Sequence, residues 1–137
     1  MMEDVIKKAD VLIEALPYIQ QFRDEIAVIK FGGSAMEDPD ITHRIMRDIV
    51  LLEAIGMKVV VIHGGGKAIT ARLKELNIET VFVNGLRRTC EKTIEVVDDV
   101  LHNQINRSLV ESILTTGGIG AQLSGKKILR AEKLWST

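Results

Sequence analysis

The sequence predicts an α/β protein: a three-layer αβα sandwich with a mainly parallel β-sheet. Two short apolar runs, residues 26–31 and 58–62, are predicted to be buried strands, and each ends in glycines followed by a helical segment. This alternation of strand, glycine turn and helix is typical of parallel sheets with helices packed on them. A third observation, Asn84-Gly85 between two further short apolar runs, predicts a β-hairpin in addition to the sheet.

The first predicted element is an amphipathic helix over residues 1–22. Its apolar residues recur at spacings of three and four, and Pro17 within this pattern is expected to kink the helix or to start a second one. The apolar stripe must pack on the following domain or on another subunit. We predict that this kinked N-terminal helix serves oligomerisation and that one domain follows over residues 23–137. The alternative, that the helix folds back on its own domain, stays open.

Two further helices are marked by their cap residues. Asp38-Pro39 opens a helix that Gly56 closes, and a helix over residues 67–76 is expected to end at Asn77.

The second half of the chain predicts one longer helix and two short strands. Thr89 is the expected cap of the helix, which Gly117-Gly118 stops. The pattern does not decide whether this helix is continuous. Residues 119–123 and 127–129 are expected to form short strands.

Composition limits the function classes. The 137 residues are 46% hydrophobic and 27% charged, with a net charge of -1, as in an ordinary globular domain. The absence of a basic excess and the aromatic content of 4% argue against nucleic-acid binding. The chain has no membrane-length apolar run or signal-peptide pattern, and Cys90 is its one cysteine. We expect a cytoplasmic protein with no membrane partner, and we find no metal-ligand spacing.

Two glycine turns are the main candidates for a ligand site. Gly32-Gly33 follows the first predicted strand and Gly64-Gly65-Gly66 follows the second. Ligands of parallel sheets bind beyond the carboxyl ends of strands, where helix amino termini favour phosphate. Lys30 ends the first strand and adds a fixed positive charge. The plainer alternative is that the glycines only make tight turns.

Known glycine fingerprints fit these turns poorly. Residues 64–69 lack the last glycine or alanine of a dinucleotide loop, because Ile69 stands there. Residues 120–126 match the spacing of a P-loop, but Lys127 replaces the serine or threonine that binds magnesium. His63 and the three glycines after it resemble an esterase oxyanion loop, yet no G-x-S-x-G motif accompanies them. Hydrolase chemistry is therefore disfavoured.

Four stretches together resemble the acetylglutamate kinases of the amino-acid kinase superfamily. They are residues 15–19 (ALPYI), 28–36 (VIKFGGSAM), 59–66 (VVVIHGGG) and 83–87 (VNGLR). Their order and spacing are those of the family. The K-F-G-G segment alone marks only the superfamily, whereas N-G-L-R after H-G-G-G is more particular to acetylglutamate kinases. The resemblance covers the N-terminal half of such an enzyme.

The resemblance implies a reaction and a phosphoryl site. The family phosphorylates the γ-carboxylate of N-acetyl-L-glutamate in arginine biosynthesis, with ATP as co-substrate and Mg²⁺. Lys30 resembles the lysine that stabilises the transition state. Gly32 and Gly33 resemble the loop that contacts the transferring phosphoryl group.

The resemblance also implies a substrate site. Gly65 and Gly66 resemble the backbone pair that binds acetylglutamate, and Arg87 resembles the arginine that grips its α-carboxylate. A guanidinium suits this role because it forms two parallel bonds with a carboxylate. If the family resemblance is set aside, the preferred interpretation of Arg87 is a solvated arginine of the hairpin. Arg88 is expected at the surface.

The rest of the expectation concerns activity and partners. The ATP-binding half of the family, with its further catalytic lysine and aspartate, is absent from this sequence, so we expect no turnover from the chain alone. The N-terminal helix resembles the extension of arginine-inhibited hexamers, which implies a homo-oligomer, a dimer or a hexamer, with arginine as feedback inhibitor. Two alternatives stay open: a kinase of carrier-bound aminoadipate in lysine biosynthesis, and a non-catalytic binding or oligomerisation fragment.

Overall fold

The computed structural model describes residues 2–132. Met1, the first residue of the predicted segment 1–22, and residues 133–137, the last of the predicted domain 23–137, lie outside the described residues. The chain divides into two compact units. The first includes the residues up to His63 together with Ile113–Ile119, and the second includes Gly64–Ser112 and the residues from Gly120 onward.

The first unit contains the predicted parallel strands. β1 (Ile26–Phe31) pairs with β2 (Lys58–His63), with Ile26 opposite Lys58. In both strands the odd-numbered residues are half-buried or buried and the even-numbered residues are exposed. One face of this pair is therefore shielded, and the other presents apolar side chains and Lys30.

One helix of the first unit lies against the strands. α2 (Pro39–Ala54) contacts β2, and its Met46 and Ile49 are buried. The Asp38 carboxylate accepts bonds from two amides of the first turn, at 2.9 and 3.1 Å. Gly56, with φ of 99°, follows the helix. The predicted start and stop of this helix are both confirmed.

The first helix, α1 (Met2–Phe22), is continuous. It passes through Pro17, so a second helix does not start there. The structure describes every residue of α1, and none of them is buried; Val5 is 65% exposed and Leu12 is 70% exposed. The apolar stripe of α1 is therefore not buried against the first unit.

The second unit begins with a helix and the predicted hairpin. α3 (Gly66–Glu75) is followed by Asn77 with φ of 54°, the expected terminator. β3 (Phe82–Val83) and β4 (Leu86–Arg87) pair antiparallel. The turn residues Asn84 and Gly85 have φ of 50° and 79°, the left-handed pair that a two-residue hairpin turn requires. The α/β class, the parallel pairing and the hairpin are all confirmed.

A helix with a π-helical centre completes the second unit and ends in the first. α4 (Glu91–Asp98), the π-helical segment (Asp99–Asn106) and α5 (Arg107–Thr115) follow one another without a break, so the helix is continuous. Val100 of the π-helical segment is fully buried and packs with Ile69 and Leu73 of α3. These residues form the apolar core of the unit.

Side-chain bonds support the unusual turn of the π-helical segment. The carboxylate of Asp99 accepts from Asn103 at 2.8 Å and from Gln104 at 2.9 Å. The second bond spans five residues, the repeat of a π-helix. The amide of Asn103, then that of Gln104, and the charge of Arg72 lower the pKa of Asp99.

The predicted stop of this helix is confirmed. Gly117 follows α5 with φ of 91°, and its amide donates to the Leu114 carbonyl at 3.0 Å. Gly118 is buried, and a Cβ there would lie 2.6 Å from Cγ2 of Val50 on α2. A side chain at this position would overpack the first unit.

The predicted cap at Thr89 is wrong. The residue before α4 is Cys90, and the Thr89 hydroxyl instead donates to the Arg87 carbonyl at 3.2 Å. The Cys90 sulfur lies 3.2 Å from the Thr93 hydroxyl, and this contact lowers the pKa of the thiol. Thr89 lies one residue before the N-cap position, and its hydroxyl bonds to the hairpin instead of to the helix.

The two predicted C-terminal strands are also wrong. Residues 119–123 have no strand geometry and no strand partner among the described residues, and Gly125–Ile128 forms a short helix, α6. Side-chain amides hold the segment before α6: Asn106 donates to the Leu123 carbonyl at 3.3 Å, and Gln122 donates to the His102 carbonyl at 3.2 Å. Apolar composition alone does not make a strand without a neighbour to pair with.

Candidate active site

Three of the six predicted site residues lie together in the first unit, at the carboxyl end of β1. Lys30 is exposed and pairs in register with Ile62. Gly33 has φ of 64° and starts a 3₁₀ turn after Gly32. A Cβ at Gly33 would meet no heavy atom of the described residues within 4 Å. The backbone of this turn is thus open to a ligand at the end of the strand that carries the lysine.

The other three, Gly65, Gly66 and Arg87, lie in the second unit, at or near the amino end of α3. Gly65 is the N-cap, and its carbonyl accepts from the Ile69 amide at 2.9 Å. Gly66 is the first helical residue. The positive end of the α3 dipole is therefore at these glycines, which favours an anion.

The two neighbouring glycines differ in the space beside their backbone. A Cβ at Gly65 would lie 2.6 Å from Cδ2 of Leu101 and 2.8 Å from Cδ1 of Ile105, both in the π-helical segment. A Cβ at Gly66 would meet no heavy atom of the described residues within 4 Å. A side chain at position 65 would crowd Leu101 and Ile105, whereas the space beside position 66 is open.

Arg87 is held against the start of α3. Its Nη2 donates to Thr70 Oγ1 at 2.8 Å and to the Gly66 carbonyl at 3.3 Å, and its Nη1 donates to Thr80 Oγ1 at 3.5 Å. Its Cζ lies 4.9 Å from the ring centroid of Phe82. Arg87 is half-buried, so the picture of a solvated hairpin arginine does not fit it. The structure thus brings two predicted substrate residues, Gly66 and Arg87, into direct contact.

The side chains around Arg87 were not predicted. Thr70 is one helical turn after Gly66, and Thr80 and Phe82 alternate on the segment that leads into the hairpin. These spacings place each set on one side of its element. The sequence offered that signal, but it does not indicate that the two sides meet. Arg88, in contrast, is exposed as expected.

The second unit also has a surface depression of about 400 Å³ away from these residues. It is lined by Asn103, Arg107, Val110, Glu111 and Gln122. Arg107 pairs there with Glu111 at 2.9 Å. None of the lining residues is a predicted site residue, and the chemistry of the glycines and Arg87 carries more weight than the size of this depression.

Two absences describe the part of the chain that the structure covers. Within residues 2–132, no group of three or more His, Cys, Asp or Glu side chains is placed to hold a metal ion. Among the same residues, none of the helices has both the length and the apolar content to span a membrane.

Comparison with known proteins gives a consistent family. Residues 25–136 match the amino acid kinase family. The chain is 53% identical over 132 residues to the acetylglutamate kinase of Petrotoga mobilis (strain DSM 10674 / SJ95). It is 49% identical to the acetylglutamate kinase of Caldanaerobacter subterraneus subsp. tengcongensis. Each alignment covers 95% of this chain and 44% of the relative, so the chain spans less than half the length of these relatives.

A solved structure shares the fold of this chain. The structure of smu.665 from Streptococcus mutans UA159 matches with a TM-score of 0.56 and 29% identity, over 75% of this chain and 41% of that one. The resemblance to acetylglutamate kinases that the sequence motifs indicated is confirmed by the relatives of that name. Because the family match extends over most of its residues, the chain belongs to the amino acid kinase family.

Proposed function

We propose that this chain is the substrate- and phosphoryl-binding part of an acetylglutamate kinase. The whole enzyme would transfer the γ-phosphoryl group of ATP to the γ-carboxylate of N-acetyl-L-glutamate, in arginine biosynthesis in the cytoplasm. The observation that carries the proposal is the bonded contact between the Arg87 guanidinium and Gly66 at the amino end of α3. A cation and a helix amino terminus at one place favour a carboxylate ligand.

The reaction joins two anions, so catalysis depends on alignment and charge neutralisation. In this proposal an oxygen of the acceptor carboxylate attacks the γ-phosphorus, and the bond from that phosphorus to the oxygen that ADP retains breaks. The products are an acyl phosphate and ADP. Lys30 neutralises the charge on the phosphoryl oxygens, and the backbone of Gly32 and Gly33 contacts them. Mg²⁺, bound with ATP, supplies further neutralisation of the phosphate oxygens.

The acceptor is oriented by the second set of residues. Arg87 takes the α-carboxylate of N-acetyl-L-glutamate through parallel N–H bonds, which leaves the γ-carboxylate as the nucleophile. The backbone of Gly65 and Gly66 binds the same substrate near the reacting end. The open space at the Cβ position of Gly66 supports this close approach.

The comparisons favour this function over a kinase of aminoadipate, because the relatives at 53% and 49% identity are named acetylglutamate kinases. The chain spans only 44% of the length of these relatives, which supports the expectation that the chain alone lacks activity. We therefore propose that the chain alone binds the acceptor without turning it over.

Calorimetric titration tests the substrate assignment. N-acetyl-L-glutamate is expected to bind the folded chain and N-acetyl-D-glutamate is not, because the α-carboxylate of the D-enantiomer is directed away from Arg87 when its γ-carboxylate is in place. A coupled assay of ADP release with ATP and Mg²⁺ is expected to show no acetylglutamate-dependent turnover. Absence of binding by the L-enantiomer contradicts the assignment, and measurable turnover contradicts the proposed inactivity.

We further propose that α1 joins copies of the chain into a homo-oligomer and that arginine regulates the assembled enzyme. The exposed apolar side chains of α1, none of which is buried among the described residues, support the first part. Sedimentation is expected to give more copies per particle for the chain than for a variant without residues 1–22. The same number of copies per particle for the two proteins would rule out this role of α1.

A further inference from the structure

We propose that Thr70 is a positioning residue that sets the orientation of Arg87 for the substrate carboxylate; this inference rests on the function proposed above. The Thr70 hydroxyl accepts from Arg87 Nη2 at 2.8 Å and donates to the Gly66 carbonyl at 2.9 Å. A hydroxyl has one hydrogen and two lone pairs, so both bonds exist together. Thr70 thereby joins the hairpin arginine to the first turn of α3.

The bond that Arg87 donates to Thr70 is the shortest of the three side-chain bonds that hold the guanidinium. The contact of Arg87 with the Gly66 carbonyl is longer, at 3.3 Å, and that with Thr80 is at the limit, at 3.5 Å. The Phe82 ring attracts the cation from its face, which leaves the guanidinium able to rotate in its own plane. A charge-assisted bond of 2.8 Å to a residue on another element fixes that rotation.

The two bonds of Arg87 Nη2 differ in length, which indicates the one that a ligand replaces. The Thr70 and Gly66 bonds use both hydrogens of Arg87 Nη2. A carboxylate gripped at two points needs one Nη2 hydrogen together with a hydrogen on Nη1 or Nε. The longer Gly66 bond is the one to yield. Thr70 then keeps the guanidinium in place while the ligand exchanges with the Gly66 carbonyl.

Binding by four variants, two single changes at Thr70 and the Arg87→Ala change with and without Thr70→Val, tests the role of the hydroxyl. Thr70→Val keeps the shape and removes the hydroxyl, and Thr70→Ser keeps the hydroxyl. Thr70 is exposed, so neither change should prevent folding, which circular dichroism checks. We expect Thr70→Val to weaken N-acetyl-L-glutamate binding by roughly 3- to 10-fold and Thr70→Ser to restore most of it. In an Arg87→Ala background Thr70→Val should have no further effect, because Thr70 acts through Arg87.

A ligand-free measurement separates this inference from the proposed function. We expect the ¹⁵N order parameter of the Arg87 Nε–H to fall in Thr70→Val to the level of the exposed Arg88, and to be kept in Thr70→Ser. Unchanged order in Thr70→Val, or an equal binding loss with and without Arg87, overturns the positioning role. If the unmodified chain does not bind N-acetyl-L-glutamate, the proposed function fails, and the order parameter alone decides whether Thr70 positions Arg87.

Discussion

Gly65→Ala is expected to lower the free energy of unfolding by about 1–3 kcal/mol, whereas Gly66→Ala is expected not to lower it. The added methyl group at position 65 would lie 2.6 Å from Leu101 Cδ2 and 2.8 Å from Ile105 Cδ1. Real carbon atoms do not pack that closely, so the ends of the Leu101 and Ile105 side chains must shift and lose part of their own packing. At position 66 the methyl group meets no heavy atom of the described residues within 4 Å, and alanine is the better helix former.

Urea unfolding of the two single variants measures the difference. A double-mutant cycle with Leu101→Ala sharpens it, since removal of that side chain makes room for the new methyl group. Gly65→Ala should then cost less in the Leu101→Ala background than in the original chain. Similar losses at positions 65 and 66, or no coupling to Leu101, would show that packing is not the reason for glycine at 65.

The same pair separates stability from binding. Under the proposed function, Gly66→Ala places a methyl group where the substrate approaches the backbone, so it should weaken N-acetyl-L-glutamate binding in a fully folded chain. Two adjacent glycines of one motif would then serve different ends. The first allows the helix to pack, and the second leaves room for the ligand.

Local signals predicted the elements whose ends depend on neighbouring residues. Asp38-Pro39 predicted the start of α2 because an aspartate cap acts on the amides of the next turn, and Asn84-Gly85 predicted the hairpin because both residues accept positive φ. The errors came where a side chain bonds to a group outside the predicted element. Thr89 donates to the Arg87 carbonyl in the hairpin, Asn106 of the long helix donates to the Leu123 carbonyl, and Gln122 donates to the His102 carbonyl of that helix.

The candidate site was predictable to a similar extent. Glycines after strands, a lysine and the N-G-L-R segment are local features, so the sequence alone identifies them as candidate site residues. The contact of Gly65 with the π-helical segment was not predictable, since apolar spacing does not distinguish a π-helical from an α-helical turn. The contact between Arg87 and Thr70 joins residues 17 positions apart, so it depends on the tertiary structure and has no local sequence signal.

Arg87→Ala is expected to weaken N-acetyl-L-glutamate binding by about 10- to 100-fold, because it removes a charge-assisted two-point grip. Arg88→Ala, its matched control, should leave binding unchanged, since Arg88 is exposed and the Arg88 backbone amide, which bonds to the Val81 carbonyl at 2.8 Å, is kept. The substitution at 87 should not unfold the chain, because the Thr70 hydroxyl still donates to the Gly66 carbonyl. Thermal unfolding of both variants checks this point.

The ligand can be changed as well as the protein. If Arg87 grips the α-carboxylate, the α-amide of N-acetyl-L-glutamate should bind the unmodified chain weakly and should bind Arg87→Ala no worse, because the charge that the arginine recognises is already missing. An amide at the γ-position should instead leave the effect of Arg87→Ala intact. A reversed pattern would place Arg87 at the reacting end of the substrate, and equal effects with every ligand would reduce it to a structural residue that braces the hairpin against α3.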